Sequence, residues 1–463
     1  MSLLGFQKFK KIHMIGIGGS GMIGIATILQ KRGFKITGSD LVISDELKEL
    51  KKIGVKVQIG HEPKLVKNAD LVVASSAISK RNTELLYSKK YGLTIIPRAE
   101  MLGTLMRPYR SIAIAGSHGK TSTTSIVASI FNAAKLSPTY VVGGQVLSVG
   151  RSSNLGDGNY IIVEADESDG SFMHLQPDVA VITNIDNDHL CFYENNQDKL
   201  NQSFASFAEN LPFYGHLILN LDDKNTCKIS KNIHRKQITF GFSAKSRFQI
   251  SDVILKNGSQ QFKLTDNINK KCHKFSTNLS GKHNLYNVAA AICVAIEENI
   301  SLKNIAKGLN EFKGVGRRFE VSKLYFSEQP HVLIDDYGHH PAEIFATIQA
   351  TREKFPKLKI CMIFEPHRFT RTQQLFDDFA NVLSKVDCLL LLDIYPASEK
   401  PIKGISSKKL ISKIKKNHKN AHFIGNKDPI NWLKENHHNF SVLITQGAGT
   451  ISKLNIEIKR KWQ

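Results

Sequence analysis

The sequence predicts an α/β protein with about three domains. Its 463 residues are too many for a single hydrophobic core and suit about three cores of ordinary size. At residues 11–29, 111–124 and 442–450, a strand-sized apolar run meets a glycine-rich turn that opens a helix. Strands that alternate with helices pack into parallel sheets, so these segments predict parallel α/β domains.

Composition indicates a globular protein from a reducing compartment. Hydrophobic residues make up 41% of the chain and charged residues 22%, which is ordinary for a folded protein. The first ten residues lack the apolar core of a signal peptide, and the longest apolar runs are strand-sized, so we expect no membrane passage. The six cysteines lie far apart without a CxxC pair, which argues against a structural zinc site or disulfides and favours the cytoplasm.

The formal net charge of +22 raises the question of a nucleic-acid partner. The lysines are spread along the chain, however, and in the dense run 408–419 apolar residues recur at helical spacing. This pattern indicates the solvated face of an amphipathic helix. The sequence holds no RNP-like aromatic motif, zinc finger or basic tail, so we expect small anionic substrates and no nucleic acid.

The first glycine-rich turn has the pattern of a dinucleotide-binding loop. The strand Lys11–Ile15 leads into Gly16-Ile17-Gly18-Gly19-Ser20-Gly21, a GxGxxG sequence opening a helix whose N-terminus would hold a pyrophosphate. The next strand ends at Ser39-Asp40, which places an acid near the distance expected for a ribose hydroxyl. These residues leave open a nicotinamide dinucleotide as the ligand.

Two further strand ends carry polar residues, His61 and the pair Ser75-Ser76, at the edge where open α/β sheets bind ligands. A solvated loop histidine is the alternative for His61. Proline resists extension of a preceding helix, so Arg107-Pro108 marks the first domain boundary.

The second glycine-rich turn predicts a nucleotide phosphate loop. A strand from Ser111 meets Gly116-Ser117-His118-Gly119-Lys120-Thr121, where Lys120 would reach the β- and γ-phosphates and the Thr121 hydroxyl would ligate Mg²⁺. Ile114 stands where the usual motif has its first glycine, which leaves an ordinary glycine turn as the alternative.

Two later strand ends supply candidate metal ligands. The strand 160–163 ends at Glu164, a carboxylate beside the phosphate loop, whereas Glu167 and Asp169 fit an acidic loop exposed to solvent. The strand 179–183 leads to His189, which would ligate a metal or accept a proton. A structural histidine is the equal alternative there.

The last third of the chain gathers polar groups at further helix starts and strand ends. Asn284 and Asn287 fall on one helix face and could bond an adenine, although Asn284 could instead cap the helix. A third unit begins near Gly314, where Arg317-Arg318 could bind phosphate bidentately. Strands then end at residues 335–341 and 365–372, both rich in charge.

Taken together, these motifs resemble the ATP-dependent Mur ligases of peptidoglycan synthesis. The resemblance runs through nearly the whole chain in the family's order, and it rests on residues 16–21, 116–124, 164–169, 184–189, 283–287, 317–319 and 335–341. It implies an N-terminal Rossmann-like domain for a UDP-sugar (1–107), a central P-loop ATPase-type α/β domain (108–315) and a C-terminal Rossmann-like domain that closes over ATP and admits the amino acid (316–463).

The resemblance also implies roles for single residues. Lys120, Glu164 and His189 would be catalytic, and Thr121, Glu164 and His189 would hold Mg²⁺. ATP would contact Gly116, Ser117, His118, Gly119, Lys120, Thr121, Ser122, Asn284, Asn287, Arg317 and Asp336. The UDP-sugar would contact Gly18, Gly19, Ser20, Gly21, Ser39, Asp40, His61, Ser75 and Ser76. The amino acid would face His339, Arg368 and Arg371.

The implied reaction phosphorylates the carboxylate of UDP-N-acetylmuramate with ATP and then joins it to L-alanine. Two positions depart from the family pattern, since Cys191 replaces a common acid and Ser117 a frequent threonine. A recycling ligase that adds a whole tripeptide stays open, as does, more remotely, an NAD-dependent dehydrogenase. The sequence does not decide between a monomer and a dimer.

Overall fold

The computed structural model describes residues 8–148, 150–188, 190, 192–256, 258–397, 399–425 and 428–463. The chain divides into two compact units, Met1–Asn278 with Leu285–Lys313 and Leu279–Asn284 with Gly314–Gln463. The predicted α/β class with parallel-sheet cores is confirmed. The finer boundaries at 107 and 315 stay a prediction.

The first unit opens with a parallel sheet that carries the first glycine-rich turn. Its elements are β1 (Lys11–Ile15), α1 (Ser20–Lys31), β2 (Lys35–Asp40), α2 (Asp45–Lys52), β3 (Lys56–Ile59), β4 (Leu71–Ala74), α3 (Thr83–Lys90), β5 (Ile95–Pro97) and α4 (Arg98–Met106). The described strands run in the order β3-β2-β1-β4-β5. Strand order reverses beside β1, so the N-terminus of α1 lies at the switch point where such sheets bind ligands.

The same unit continues into a larger sheet. Its elements are β6 (Arg110–Ala115), α5 (Lys120–Ala133), β7 (Thr139–Val146), β8 (Arg151–Asn154), β9 (Tyr160–Glu164), β10 (Val179–Ile182), α6 (Gln197–Glu209), β11 (His216–Asn220), α7 (Lys224–Ser230), β12 (Lys236–Gly241), β13 (Phe248–Lys256), β14 (Ser259–Asp266), β15 (Lys271–Thr277), α8 (Lys282–Glu297) and α9 (Leu302–Glu311). Strand β6 lies between β10 and β9, parallel to both. The carboxyl ends of these three strands therefore share one edge.

The second unit holds a third sheet. Its elements are β16 (Glu320–Phe326), β17 (Gln329–Asp336), α10 (Pro341–Lys354), β18 (Ile360–Phe364), α11 (Phe369–Gln374), α12 (Phe376–Leu383), β19 (Cys388–Leu391), α13 (Ser407–Ile414), β20 (Ala421–Phe423), α14 (Pro429–Asn436), β21 (Val442–Gln446) and α15 (Ile451–Trp462). The described strands lie in the order β16-β17-β21-β18-β19-β20, and β16 pairs antiparallel to β17.

Burial follows the predicted patterns. Residues 112–115 of β6 are fully buried, as expected for a central parallel strand covered on both faces. Leu410, Ile411 and Ile414 of α13 are buried while Lys408 and Lys409 are exposed, which confirms the amphipathic helix. Among the described residues, no helix is long and apolar enough to cross a membrane.

Candidate functional site

The phosphate loop, defined here as Gly116–Gly119, joins β6 to α5 with a backbone that requires glycine at both ends. The φ angles of Gly116 and Gly119 are +137° and +83°, in the region that side chains disfavour. A Cβ on Gly119 would also lie 2.3 Å from Oδ1 of Asn287, which leaves no room for it. The loop thus ends directly at the N-terminus of α5, where the helix dipole favours an anion.

Lys120 lies folded over this loop. Its Nζ donates to the carbonyl oxygens of Gly116 at 2.6 Å and Ser117 at 3.2 Å, and to Oε1 of Glu167 at 2.9 Å. Burial lowers the pKa of Lys120, but the carboxylates around it, led by Glu167, raise that pKa overall. Lys120 is therefore a charged side chain poised at the loop.

The prediction that Glu167 is exposed is wrong, because its side chain is 1% exposed. The chain turns back at Gly170, whose φ is +67°, and Tyr193 donates to the Glu167 carbonyl oxygen at 2.5 Å. Burial raises the pKa of Glu167 to about 7, although the adjacent Lys120 favours its charged form. Sequence reasoning missed this contact because a run of acids resembles a solvated loop.

Thr121 and Glu164 meet where β6 and β9 end side by side. The Thr121 hydroxyl lies 3.0 Å and 3.1 Å from the two carboxylate oxygens of Glu164, and the Gly143 backbone N–H donates to the same carboxylate at 2.7 Å. A hydroxyl and a carboxylate are hard oxygen ligands of the kind that Mg²⁺ prefers, so these residues fit the ion. The further predicted ligand, His189, lies outside the described residues, as does Cys191.

The loop after β10 is hydrogen-bonded to the phosphate loop. The His118 N–H donates to Oδ1 of Asn184 at 2.9 Å, and its imidazole lies 3.1 Å from Asp186. The Asp186 N–H donates to the Ser117 hydroxyl at 2.8 Å. Sequence reasoning looked to His189 in this loop and missed Asn184 and Asp186, although both follow a buried strand. Ser122 is half-buried in the first turn of α5.

The N-terminal glycine loop, Gly16–Gly21, is stabilised by the carboxylate of Asp40, which the sequence analysis expected to contact the UDP-sugar. Oδ2 of Asp40 accepts from the Gly18 N–H at 2.8 Å, and its Oδ1 accepts from the Leu41 N–H at 2.7 Å. The Asp40 side chain thus fixes the conformation of the loop by accepting a hydrogen bond from the loop's backbone. Nearby, Ser39 is fully buried and its hydroxyl contacts the half-buried His61.

One pocket of the first unit extends from this glycine loop to Glu164 at the end of β9. It is lined by Gly19, Gly21, Ser75 and Ser76 on one side and by Glu164 and Asp166 on the other, with Arg98 between them.

Sequence reasoning missed Arg98, the first residue of α4. Its guanidinium bonds the Ser171 hydroxyl at 3.2 Å, lies 3.7 Å from Asp166, and would be 2.9 Å from a Cβ on Gly21. A basic residue directly after the strand β5 was the available signal.

The two asparagines predicted for adenine have separate contacts. Asn287 contacts the Thr123 hydroxyl at 3.3 Å in addition to its approach to Gly119, which places it beside the phosphate loop. Asn284 donates its side-chain N–H to the Ser280 carbonyl at 2.8 Å, so it ties the start of α8 to the preceding turn.

In the second unit, Arg317 and Asp336 organise the end of β17. Arg317 donates to the Gly447 carbonyl oxygen at 2.6 Å and stacks on Tyr337. Asp336 accepts at 2.8 Å from the N–H groups of Phe319 and Gly338, and burial raises its pKa to about 6. Both side chains therefore bind backbone groups in this structure.

The residues predicted to face the amino acid gather around His367. Arg371 lies 3.3 Å from Nδ1 of His367, whose ring is 5.4 Å from that of His339 between centroids. Arg368 precedes α11 with a φ of +71°, and its N–H donates to the Tyr395 carbonyl at 2.8 Å. His367 lies within the charge-rich strand end 365–372, but sequence reasoning gave it no role. The cluster offers cationic donors for a carboxylate.

Three models of one family match successive parts of the chain. They are described as Mur ligase family, catalytic domain (residues 11–110), Mur ligase middle domain (114–295) and Mur ligase, glutamate ligase domain (317–449).

Solved structures match over the same length. The UDP-N-acetylmuramate-alanine ligase of Thermotoga maritima is 26% identical with a TM-score of 0.83, and the alignment covers 97% of this chain and 98% of that one. A murein peptide ligase from Psychrobacter arcticus is 22% identical, with coverage of 97% and 98% and a TM-score of 0.72. The MurF ligase of Thermotoga maritima in complex with ADP is 16% identical, with coverage of 92% and 96% and a TM-score of 0.61. The last two show the likeness of fold alone.

Proposed function

The chain belongs to the Mur ligase family of ATP-dependent, amide-bond-forming ligases of peptidoglycan precursor synthesis, and we propose that it joins L-alanine to the carboxylate of UDP-N-acetylmuramate. The similarity to the alanine ligase of Thermotoga maritima supports this substrate pair.

The observation that carries the proposal is the pocket shared by the N-terminal glycine loop and Glu164. The N-terminus of α1 suits a diphosphate, and the far side of the pocket suits a metal-bound phosphate. A substrate whose diphosphate and reactive carboxylate are separated by one sugar spans these two places. UDP-N-acetylmuramate has that layout, whereas NAD has no carboxylate to phosphorylate.

Within this proposal, residues 1–107 bind the UDP-sugar, 108–315 bind ATP and 316–463 admit the amino acid. An oxygen of the muramyl carboxylate attacks the γ-phosphorus, the bond to the ADP oxygen breaks, and ADP leaves. The amine of alanine then attacks the acyl carbon, the bond to the phosphate oxygen breaks, and the nitrogen loses a proton to leave the amide. Phosphorylation is needed because a carboxylate oxygen is otherwise a poor leaving group.

The chain's own groups stabilise the charge that moves in these steps. The N–H groups at the start of α5 hold phosphate oxygens, whereas those of Ser117 and His118 are bonded to Asn184, and Lys120 neutralises the transferring group. Mg²⁺ held by Thr121 and Glu164, with His189 as a further proposed ligand, supplies Lewis-acid compensation of phosphate charge. Arg368 and Arg371, beside His339, are the proposed donors to the alanine carboxylate.

A phosphate-release assay tests the proposal directly. The full chain is incubated with ATP, Mg²⁺ and UDP-N-acetylmuramate, together with alanine, serine, glycine or the L-alanyl-γ-D-glutamyl-diaminopimelate tripeptide. We expect alanine to give the highest kcat/KM. A preference for the tripeptide would replace the proposal with the recycling reaction, and release without any amine acceptor would reveal an uncoupled ATPase.

A further inference from the structure

A run of lysines without acids covers one helix of the second unit. Residues 400–419 contain no aspartate, glutamate or arginine, and their eight lysines supply eight of the chain's 22 net positive charges. The segment comprises α13, the loop before it and the turn after it. We call the surface formed by these side chains the lysine surface; it consists of Lys400, Lys403, Lys408, Lys409, Lys413, Lys415, Lys416 and Lys419.

Burial decides which side of α13 carries this charge. Leu410, Ile411 and Ile414 pack into the core of the second unit, whereas every lysine of the lysine surface except the partly buried Lys413 is exposed. Helix α13 has eight residues and is thus about 12 Å long. The Debye length is about 10 Å at 0.1 M salt, so these lysines act together on an anionic surface placed against them.

Three acidic side chains near the lysine surface already have partners. Asp377 of α12, which packs on α13, forms an ion pair with Lys413. Asp387 bonds Arg352 at 2.8 Å, and Glu399 accepts from the N–H and the hydroxyl of the second residue of α11 at 3.0 Å and 2.7 Å. Within the part of the chain that the structure describes, the seven other lysines form no ion pair. Their charge is therefore available to a partner.

The chemistry of the lysine surface favours a lipid bilayer over a nucleic acid. Nucleic-acid sites combine cations with arginine forks and with aromatic rings on which bases stack, and residues 400–419 contain neither arginine nor an aromatic residue. Nζ of Lys408 lies over the ring of Phe423 at 5.8 Å, and Nζ of Lys413 over that of Phe376 at 5.9 Å, so a base could not stack on those faces. Lysines clustered on an amphipathic helix are typical of proteins that bind anionic lipid headgroups.

We propose that the lysine surface binds the anionic headgroups of a lipid bilayer, with α13 lying along the plane of the membrane surface. The apolar side of α13 faces the protein core, so the helix stays outside the hydrocarbon and the attraction between charges alone holds the contact. Such binding requires anionic lipid and weakens with salt. It goes beyond the proposed ligation and needs none of the substrates.

Co-sedimentation of the full chain with vesicles tests the proposal without nucleotide or amino acid. One set of vesicles contains phosphatidylglycerol and phosphatidylcholine, and the other contains phosphatidylcholine alone. We expect binding to the first set only, and its loss when salt is raised from about 0.1 M to about 1 M, which shortens the Debye length from about 10 Å to about 3 Å. No binding to the anionic vesicles, equal binding to both sets, or binding that withstands the salt would overturn the proposal.

Matched variants locate the contact on the chain. The first variant removes four charges from the lysine surface through Lys408→Gln, Lys409→Gln, Lys415→Gln and Lys416→Gln. The control removes four charges from exposed lysines of the first unit through Lys51→Gln, Lys52→Gln, Lys89→Gln and Lys90→Gln. Each lysine near an anionic bilayer strengthens binding about fivefold, so we expect the first variant to bind the anionic vesicles on the order of 100-fold more weakly, and the control to bind within about threefold of the wild type.

Two outcomes of this comparison would contradict the proposal. An equal loss in both variants would show that binding follows the net charge of the chain and not the lysine surface. Tighter binding to a single-stranded RNA than to the anionic vesicles at the same salt, lost in the first variant alone, would assign the surface to a nucleic acid. Circular dichroism confirms that both variants fold, so the result does not depend on whether the proposed ligation is correct.

Discussion

The N-terminal glycine loop and the phosphate loop use the same backbone device with different side chains. In each, a buried parallel strand runs through glycines to a helix N-terminus. The first turn of α1, Ser-Gly-Met-Ile, carries no charge, and the nearby Asp40 bonds the loop backbone. The first turn of α5 instead supplies Lys120 and Thr121, which meet Glu167 and Glu164. A helix N-terminus suffices to hold phosphate, whereas transferring it needs the added charges.

If this contrast is right, changes near the phosphate loop lower kcat, and changes near the N-terminal glycine loop raise the KM for the UDP-sugar. The largest effect is expected for Lys120→Ala, with kcat falling by about 100-fold or more because the transferring charge loses its cation. Steady-state phosphate release measures it. Lys228→Ala, an exposed lysine of α7, is the control. Near-normal turnover in Lys120→Ala would contradict the view that the phosphate loop differs from the N-terminal glycine loop by carrying a charge needed for phosphate transfer.

Glu164→Gln should follow in size. The amide presents one oxygen in place of a carboxylate, so we expect the Mg²⁺ concentration for half-maximal activity to rise by about tenfold or more. Activity is titrated against Mg²⁺ at saturating ATP, with the exposed Glu194→Gln as the control. An unchanged Mg²⁺ requirement would mean that Glu164 serves only the Thr121 and Gly143 contacts.

Asp40→Asn tests the other loop. Its amide nitrogen would face the N–H of either Gly18 or Leu41, both of which now donate to the carboxylate. This repulsion should distort the N-terminal glycine loop and leave the phosphate loop untouched. We expect the KM for the UDP-sugar to rise by about tenfold with kcat within about twofold. Asp45→Asn on α2, 88% exposed, is the control. A fall in kcat with an unchanged KM for the UDP-sugar would contradict the proposal that this loop serves substrate binding and the phosphate loop serves catalysis.

The smallest effect is on stability. The pKa of Glu167 is about 7 when folded, above the ordinary 4.5 of glutamate. The folded state then binds the extra proton between these values, so this group's contribution to stability is full below pH 4.5 and is lost as the pH rises through 7. Relative to Glu167→Gln, the Tm of the wild type should fall over that interval. If the Tm of the wild type and of Glu167→Gln changed with pH in the same way, Glu167 would not be the source of the effect. The same conclusion would follow if Glu194→Gln differed from the wild type as Glu167→Gln does.

The sequence predicted the positions of site residues that belong to a motif, but not the contacts of residues that tertiary packing brings to the site from distant parts of the chain. Lys120, Thr121 and Glu164 lie together as expected, because the carboxyl ends of neighbouring parallel strands share an edge. Arg98 was missed, since its place in the pocket depends on how α4 packs against the segment that holds Asp166. Ser39 was assigned to the ligand, but its hydroxyl points inward to a helix 45 residues away.

The α/β class, the two glycine-rich loops at helix starts and the adjacency of Lys120, Thr121 and Glu164 could all be predicted from the amino-acid sequence. These follow from local geometry, in which a strand, a glycine turn and a helix start place their side chains within a few residues. Three contacts became visible only in the folded chain: Glu167 is buried against Lys120, Asp40 bonds backbone N–H groups, and the Ser39 hydroxyl donates to the buried Glu84. Those properties depend on burial and on contacts between distant segments, and a side chain's charge and hydrogen-bonding role change with them.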